Sequence, residues 1–269
     1  MKVSFIGGGN MARALVVGLL DKGFAPGHVT IVELDAAKRQ QLQQEFGVTV
    51  SDQLAAAAQA DVIVLAVKPQ QLRDVAIFLS SLLKHQLVVS IAAGIRTPDL
   101  VRWLGGYAAV VRVMPNTPAQ VQAGVSALFA APGTTAEQRQ QAGELLAAVG
   151  TCIWLESETQ MDAVTAVSGS GPAYMFYFLE AMQQAGVELG LAAEQTRILA
   201  LQTMLGAARL AAGSPEEFAT LRAQVTSKGG TTEQAILAMQ GAGVKESIVK
   251  AMHAAAARSA ELGDILGKD

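Results

Sequence analysis

The feature that most narrows the fold is a change of period part-way along the chain. Through about residue 155, short β-branched runs alternate with longer stretches of helical spacing. The runs lie at residues 3–6, 29–33, 62–66, 87–91 and 110–114, with later additions at 125–129 and 152–155. Helical stretches at 11–21, 35–46, 70–83, 98–104 and 135–149 separate them. Alternation of this kind predicts βαβ units on a mostly parallel sheet. The runs are too continuously apolar to have a wet face, so helices must cover both sides. After about residue 160 the β-branched runs stop. Ala, Leu and Met then recur at helical spacing over 172–189, 193–212, 215–224, 233–239 and 245–262. The expectation is an α/β chain with a doubly wound parallel sheet over residues 1–158, followed by an all-helical domain over 159–269.

Two helix starts in the second half carry local signals. Ser170-Gly171-Pro172 puts proline in a first turn, and Ser214-Pro215-Glu216-Glu217 reads as a cap, an N1 proline and a box acid. The alanine-rich stretches 200–212 and 251–260 can approach a neighbour closely but offer little polar face to water. Only 16% of the chain is charged, against about 25% in soluble proteins. Both observations predict an obligate oligomer in which these helices pack against a second subunit. A net charge of −3 supplies no basic cluster for nucleic acid or an anionic membrane. Cys152 has no disulfide partner, and with His28, His85 and His253 scattered there is no metal-ligand spacing. The start of the chain lacks the pattern of a secretion signal, and the apolar runs fall far short of the roughly 18 residues of a membrane span. A soluble, cytoplasmic protein is expected.

The run at 3–6 leads into Gly7-Gly8-Gly9-Asn10-Met11-Ala12 and then a helix, which fits the G-x-G-x-x-A turn of a Rossmann-type dinucleotide domain. Gly7 permits the tight turn, Gly9 lets backbone approach a pyrophosphate, and Ala12 keeps helix and strand close. Gly8, Asn10 and Met11 complete the turn, whose free N–H groups and positive helix end face the anion. Glu33 ends the second run 24 residues past Gly9, in the region where an acid often holds the adenine ribose 2′-hydroxyl and favours NADH. Lys38 and Arg39, which would favour the 2′-phosphate of NADPH, read instead as solvated helix-face charges, so the choice of cofactor stays open. Ala66-Val67-Lys68-Pro69 and Ile91-Ala92-Ala93-Gly94 leave the carboxyl ends of two further strands, where open α/β sheets bind ligands. Pro69 suits a helix N1 position in either case.

In the helical half, Val167-Ser168-Gly169-Ser170-Gly171-Pro172-Ala173-Tyr174 and Val225-Thr226-Ser227-Lys228-Gly229-Gly230-Thr231-Thr232 read as glycine-rich loops feeding helix N-termini. Both offer N–H groups and hydroxyls to a small anion such as a carboxylate. No histidine lies in a candidate loop, although an alcohol dehydrogenase generally needs a positioned acid/base. A protonated imine does not: its carbon accepts hydride and its nitrogen already holds the proton.

Val67-Lys68-Pro69, Arg112-Val113-Met114-Pro115-Asn116-Thr117-Pro118, the 167–174 segment and Thr226-Ser227-Lys228-Gly229-Gly230-Thr231-Thr232 stand in the order found in pyrroline-5-carboxylate reductases, which the chain resembles over nearly its whole length. The resemblance implies reduction of 1-pyrroline-5-carboxylate to L-proline with NADPH or NADH. It implies a Rossmann domain and a helical domain interlocked with its mate in a homodimer through the C-terminal helices, with dimers often assembling into a larger homo-oligomer. It places the substrate carboxylate on Ser227 and the Gly230-Thr231 backbone, the ring nitrogen on the catalytic Thr232, and a substrate-side acid at Glu158, a residue that reads equally as a plain helix-start acid. Arg112 and Asn116 read as structural. Lys228 stands where many relatives have proline, and Leu34 where a polar or basic residue would face a 2′-phosphate. Two other readings compete. A 3-hydroxy-acid dehydrogenase would need a lysine four residues before an asparagine in the helical half, and no asparagine follows Asn116. A non-catalytic dinucleotide sensor would have no use for intact hydroxyl loops.

Overall fold

The computed structural model describes residues 1–268. Its apolar runs form one eight-stranded sheet: β1 (Val3–Ile6), β2 (Val29–Val32), β3 (Thr49–Ser51), β4 (Val62–Leu65), β5 (Leu87–Ser90), β6 (Val110–Met114), β7 (Gly124–Ala130) and β8 (Gly150–Trp154), in the order β3-β2-β1-β4-β5-β6-β7-β8. Neighbours pair parallel except β6 with β7. Order reverses at β1, whose Ile6 is in register with Val32 on one side and Leu65 on the other. The carboxyl ends of β1, β2 and β4 therefore open at one level. That is the switch point where doubly wound sheets take ligands.

Helices α1 (Asn10–Asp21), α2 (Ala36–Phe46), α3 (Pro69–Ser80), α4 (Thr97–Trp103) and α5 (Ala136–Leu146) cover the sheet. On one face Val3, Phe5, Val111 and Leu128 pack with Leu15, Val16 and Leu19 of α1 and with Leu145 and Leu146 of α5. On the other, Ile6, Ile63, Leu65 and Val88 pack with Leu72, Ala76 and Leu79 of α3 and with Leu100 and Trp103 of α4. Two separate cores, one on each face, account for strands that are apolar at every position. The three-residue edge strand β3 has no counterpart among the sequence expectations, because its partly exposed Thr-Val-Ser carries no period.

The helical part comprises α6 (Met161–Val164), α7 (Gly171–Glu188), α8 (Ala193–Ala212), α9 (Phe218–Gln224), α10 (Thr231–Gly241) and α11 (Val244–Leu266). Two compact units result: residues 1–170 with the chain from Ala255 onward, and residues 171–254. In the second unit α7 and α8 approach so closely that a Cβ on Gly186 would meet the side chain of Thr196. Only Gly186, Thr196 and Ala200 are buried in this unit. Among the described residues, no helix is long and apolar enough to cross a membrane.

Two helix starts differ from their sequence expectation. Helix α9 begins at Phe218, with Glu217 as its N-cap, rather than at Pro215. The Ser214 hydroxyl instead accepts the N–H of Glu216, 3.2 Å away, which makes a serine turn. The 167–174 segment is not a loop. Helical turns run from α6 through a π turn at Thr165–Gly169 into the start of α7. The hydroxyls of Thr165 and Ser168 bond back to the carbonyls of Met161 and Val164 at 2.8 and 3.1 Å, the local satisfaction open to such residues inside a helix. Gly169 leaves room there for the end of the Met114 side chain, which a Cβ would displace.

Candidate active site

The glycine turn is built by three different constraints. Gly7 has φ +100°, and a Cβ on it would lie 2.7 Å from the Ala66 carbonyl oxygen and 3.2 Å from Val67. The Ala66-Val67 loop therefore forms a wall against it, and Gly7 N–H continues the ladder to Val32 O at 2.8 Å. Gly8 is buried, and a Cβ there would lie 2.6 Å from Leu42. Gly9, the N-cap of α1, has ordinary extended angles and nothing within 4 Å of its missing Cβ. Its open face is the close approach that a phosphate group would use. No side chain caps α1 and no acid stands in its first turn, so the N–H groups at Asn10 and Met11 keep their positive potential. Ala12 is fully buried against the strand. This turn fits the pyrophosphate of a dinucleotide.

Glu33 is half-buried. Its two carboxylate oxygens accept the N–H groups of Gly8 and Asp35, each at 3.1 Å. The acid expected to meet a ribose thus also braces the glycine turn. Arg39 is not the solvated helix-face charge expected of it. Its guanidinium donates to the carbonyls of Glu33 and Leu34 at 2.7 Å each and stands 3.4 Å from Asp52. Lys38 is exposed, with its N–H bonded to the Asp35 side chain. That bond holds the Asp35 carboxyl below its usual range. Leu34 is 77% exposed and presents an apolar surface. Lys68 is the exposed N-cap of α3 and Pro69 takes N1, as expected.

The loop after β5 presents Ala93 to solvent, while Ala92 and Gly94 are buried. Its far end is gripped from behind by Glu158. That carboxylate accepts Thr97 N–H at 2.7 Å and Thr97 Oγ1 at 2.6 Å. It also accepts Arg112 Nη1 at 2.8 Å, with both charged side chains largely buried. Thr97 and Arg112 were not anticipated as partners. An arginine inside the apolar run Val-Val-Arg-Val-Met carried the signal, since a buried cation requires a buried anion. Asn116 accepts the N–H of Val125 at 2.9 Å, the structural role expected of it.

In the second unit the 225–230 segment links α9 to α10. Gly229 has φ +75°, and its N–H donates to Glu233 at 2.7 Å. Gly230, the N-cap of α10, donates to Ser227 O at 3.1 Å, and a Cβ on it would lie 2.6 Å from Ser227 Oγ. No side chain caps α10. Ser227, Thr231 and Thr232 are exposed, and among the described residues their hydroxyls have no bond to the chain. Three exposed hydroxyls thus flank the uncapped first turn of α10, whose acid Glu233 is engaged by Gly229, a grouping that suits a carboxylate. No cluster of three or more His, Cys, Asp or Glu that would hold a metal occurs among the described residues.

A family model described as pyrroline-5-carboxylate reductase dimerisation matches residues 158–262, and one described as NADP oxidoreductase, coenzyme F420-dependent, matches residues 2–94. A pyrroline-5-carboxylate reductase of Pseudomonas aeruginosa is 48% identical, with 99% of this chain and 98% of the relative covered. The chain belongs to the pyrroline-5-carboxylate reductase family. Among solved structures, the family member from Coxiella burnetii matches with a TM-score of 0.92 at 43% identity, over 97% of this chain and 98% of that one. The Plasmodium falciparum enzyme with NADP bound matches with a TM-score of 0.88 at 26% identity, over 98% of both chains. Membership bears out the Rossmann-type sheet joined to a helical dimerisation domain.

Proposed function

We propose that this chain reduces the C=N bond of 1-pyrroline-5-carboxylate with NADPH or NADH, giving L-proline, the last step of proline biosynthesis. The observation that carries the reading is the α10 N-terminus, where the exposed hydroxyls of Ser227, Thr231 and Thr232 flank uncapped first-turn N–H groups with no histidine in the segment, while Glu233 of the same turn is engaged by the Gly229 N–H. Ser227 and the Gly230-Thr231 backbone hold the substrate carboxylate. The Thr232 hydroxyl holds the ring nitrogen, accepting its N–H while the imine is protonated. When bound, the reduced nicotinamide supplies a hydride to the imine carbon. The turn Gly7-Gly8-Gly9-Asn10-Met11 binds the pyrophosphate, and Glu33 supports the turn and meets the ribose. Ala66-Val67-Lys68-Pro69 and Ala92-Ala93-Gly94 line the nicotinamide side. Glu158 acts from behind, by fixing Thr97. Placement supplies the catalysis: positioned reactants gain up to about 7–11 kcal/mol of barrier reduction without a proton relay.

Residues 1–158 chiefly serve the cofactor and 159–269 chiefly the substrate and assembly, with the chain from Ala255 onward packed into the sheet unit. The exposed apolar residues of the second unit, among them Phe176, Tyr177, Ile198, Leu205 and Leu210, support a homodimer through these helices, with dimers assembling further. The lone Cys152 suits the reducing cytoplasm. The test is to incubate purified protein with pyrroline-5-carboxylate and each reduced nicotinamide, and to identify the product. L-proline formed in proportion to cofactor oxidised is the expected result. No proline with either cofactor would defeat the reading.

A further inference from the structure

The 91–96 loop after β5 is shaped from behind by the last turns of α11. Gly94 adopts φ +79°, and a Cβ on it would lie 3.3 Å from Leu266 Cδ1, 3.5 Å from Leu262 Cβ and 3.7 Å from the Gly263 nitrogen. Loop and helix lie within van der Waals reach of each other here, and it is the positive φ rather than lack of space that favours glycine at position 94. Two residues on, Arg96 reaches along the same helix: Nη1 pairs with Asp264 at 2.7 Å and Nη2 donates to the Ala260 carbonyl at 3.2 Å. Gly263 is buried beneath this guanidinium, and a Cβ on it would lie 3.0 Å from Arg96 Nε. At the next turn Arg102 of α4 donates to Gly267 O at 2.7 Å. The helix is itself anchored by Ser259, whose hydroxyl donates to Asp162 at 2.6 Å. The loop is thus held at Gly94 and Arg96 by α11 and at Thr97 by Glu158. Between the buried Ala92 and Gly94, only Ala93 faces outward.

We propose that the C-terminal turns of α11 act as a strap that pre-forms the 91–96 loop and thereby sets the affinity for the reduced nicotinamide cofactor, with Arg96, Gly263 and Asp264 as positioning residues. The inference rests on the reading of Ala92-Ala93-Gly94 as part of the cofactor wall. A loop already ordered before binding loses less conformational freedom when the dinucleotide arrives, so the strap acts on affinity rather than on the chemical step. The Arg96–Asp264 pair is partly open to water, and such pairs contribute little energy alone. Its weight lies in fixing where the loop runs.

The experiment measures NADPH and NADH dissociation constants by nicotinamide fluorescence on the full-length protein without substrate, alongside steady-state kinetics. Gly263→Val and Asp264→Arg are expected to weaken dinucleotide binding by about 3- to 10-fold, with turnover at saturating cofactor and the KM for the imine within about 2-fold of the parent. The exchanged pair Arg96→Asp with Asp264→Arg should recover binding to within about 2-fold, a rescue that general destabilisation would not produce. Asp264 is exposed enough that its variant tests the idea even where Gly263→Val fails to fold. Ala93→Leu separates the two layers of the argument. If it weakens cofactor binding while Asp264→Arg does not, the strap is overturned and the wall stands. If Ala93→Leu leaves binding unchanged, the loop is no cofactor wall and the strap falls with it.

Discussion

The two units of this chain solve the problem of apolar surface in opposite ways. The sheet unit buries its strands on both faces within one chain, so β1, β4 and β5 are buried at every position. Residues 171–254 bury only three residues and leave Phe176, Tyr177, Leu210 and Phe218 between 68% and 78% exposed. A lone helical unit so exposed lacks the burial needed to offset its conformational entropy, which runs to about 1–2 kcal/mol per residue for the backbone. Surface removed from water by a second copy contributes about 25 cal/mol per Å². An obligate interface of about 2,000 Å² or more would supply what the unit lacks. The difference teaches that one half of the molecule is stabilised by its own topology, while the other, on the proposed dimer, depends on assembly.

The sharpest way to break that contrast is Leu205→Asp, in the middle of α8. A buried leucine contributes about 1.5–3 kcal/mol, and a two-fold interface counts it twice. Sedimentation should show loss of the dimer, and circular dichroism loss of helix with the sheet retained. A variant that stays dimeric would remove α8 from the interface. The matching test of the sheet unit is Glu158→Ala, which strands the buried Arg112 and two Thr97 donors. Breaking such a pair costs about 3–5 kcal/mol. Thermal unfolding should show the loss irrespective of protein concentration, and Glu158→Gln should recover part of it.

Smaller effects separate the two halves in function. Thr232→Ala should lower kcat by about 100-fold, the scale of losing one positioned hydrogen-bonding group, and leave dinucleotide affinity within about 2-fold. Unchanged turnover would remove Thr232 from its role. Glu33→Ala leaves the buried Gly8 N–H without its acceptor, at a cost of about 1–3 kcal/mol. Titration should find both NADH and NADPH weakened, because the turn itself loosens. A loss confined to NADH would make the ribose contact the dominant one.

Legibility in the sequence followed the same divide. Strands apolar at every position, and a glycine turn placed between strand and helix, are local patterns that only a doubly wound sheet satisfies, so β1 and β6 match their expected limits residue for residue. The misreadings came where one signal serves two conformations. Ser214-Pro215-Glu216-Glu217 caps a turn as readily as a helix. Ser168-Gly169-Ser170-Gly171 looks like a loop, yet continues as a π turn because the hydroxyls bond backward and Gly169 clears Met114. Partners distant in sequence were the hardest to foresee. Glu158 carried the expectations of a substrate-side acid and of a plain helix-start acid, and nothing local tied it to Thr97, 61 residues away. Arg39 looked like a surface charge until the carbonyls of its own preceding loop came into reach.

Isotope transfer tests the proposed chemistry most directly. With pyrroline-5-carboxylate and a reduced nicotinamide deuterated on the transferring face of its C4 carbon, the account predicts L-proline carrying one deuterium at the carbon formerly double-bonded to nitrogen. Proline formed without that label, from cofactor deuterated on either face, would contradict it.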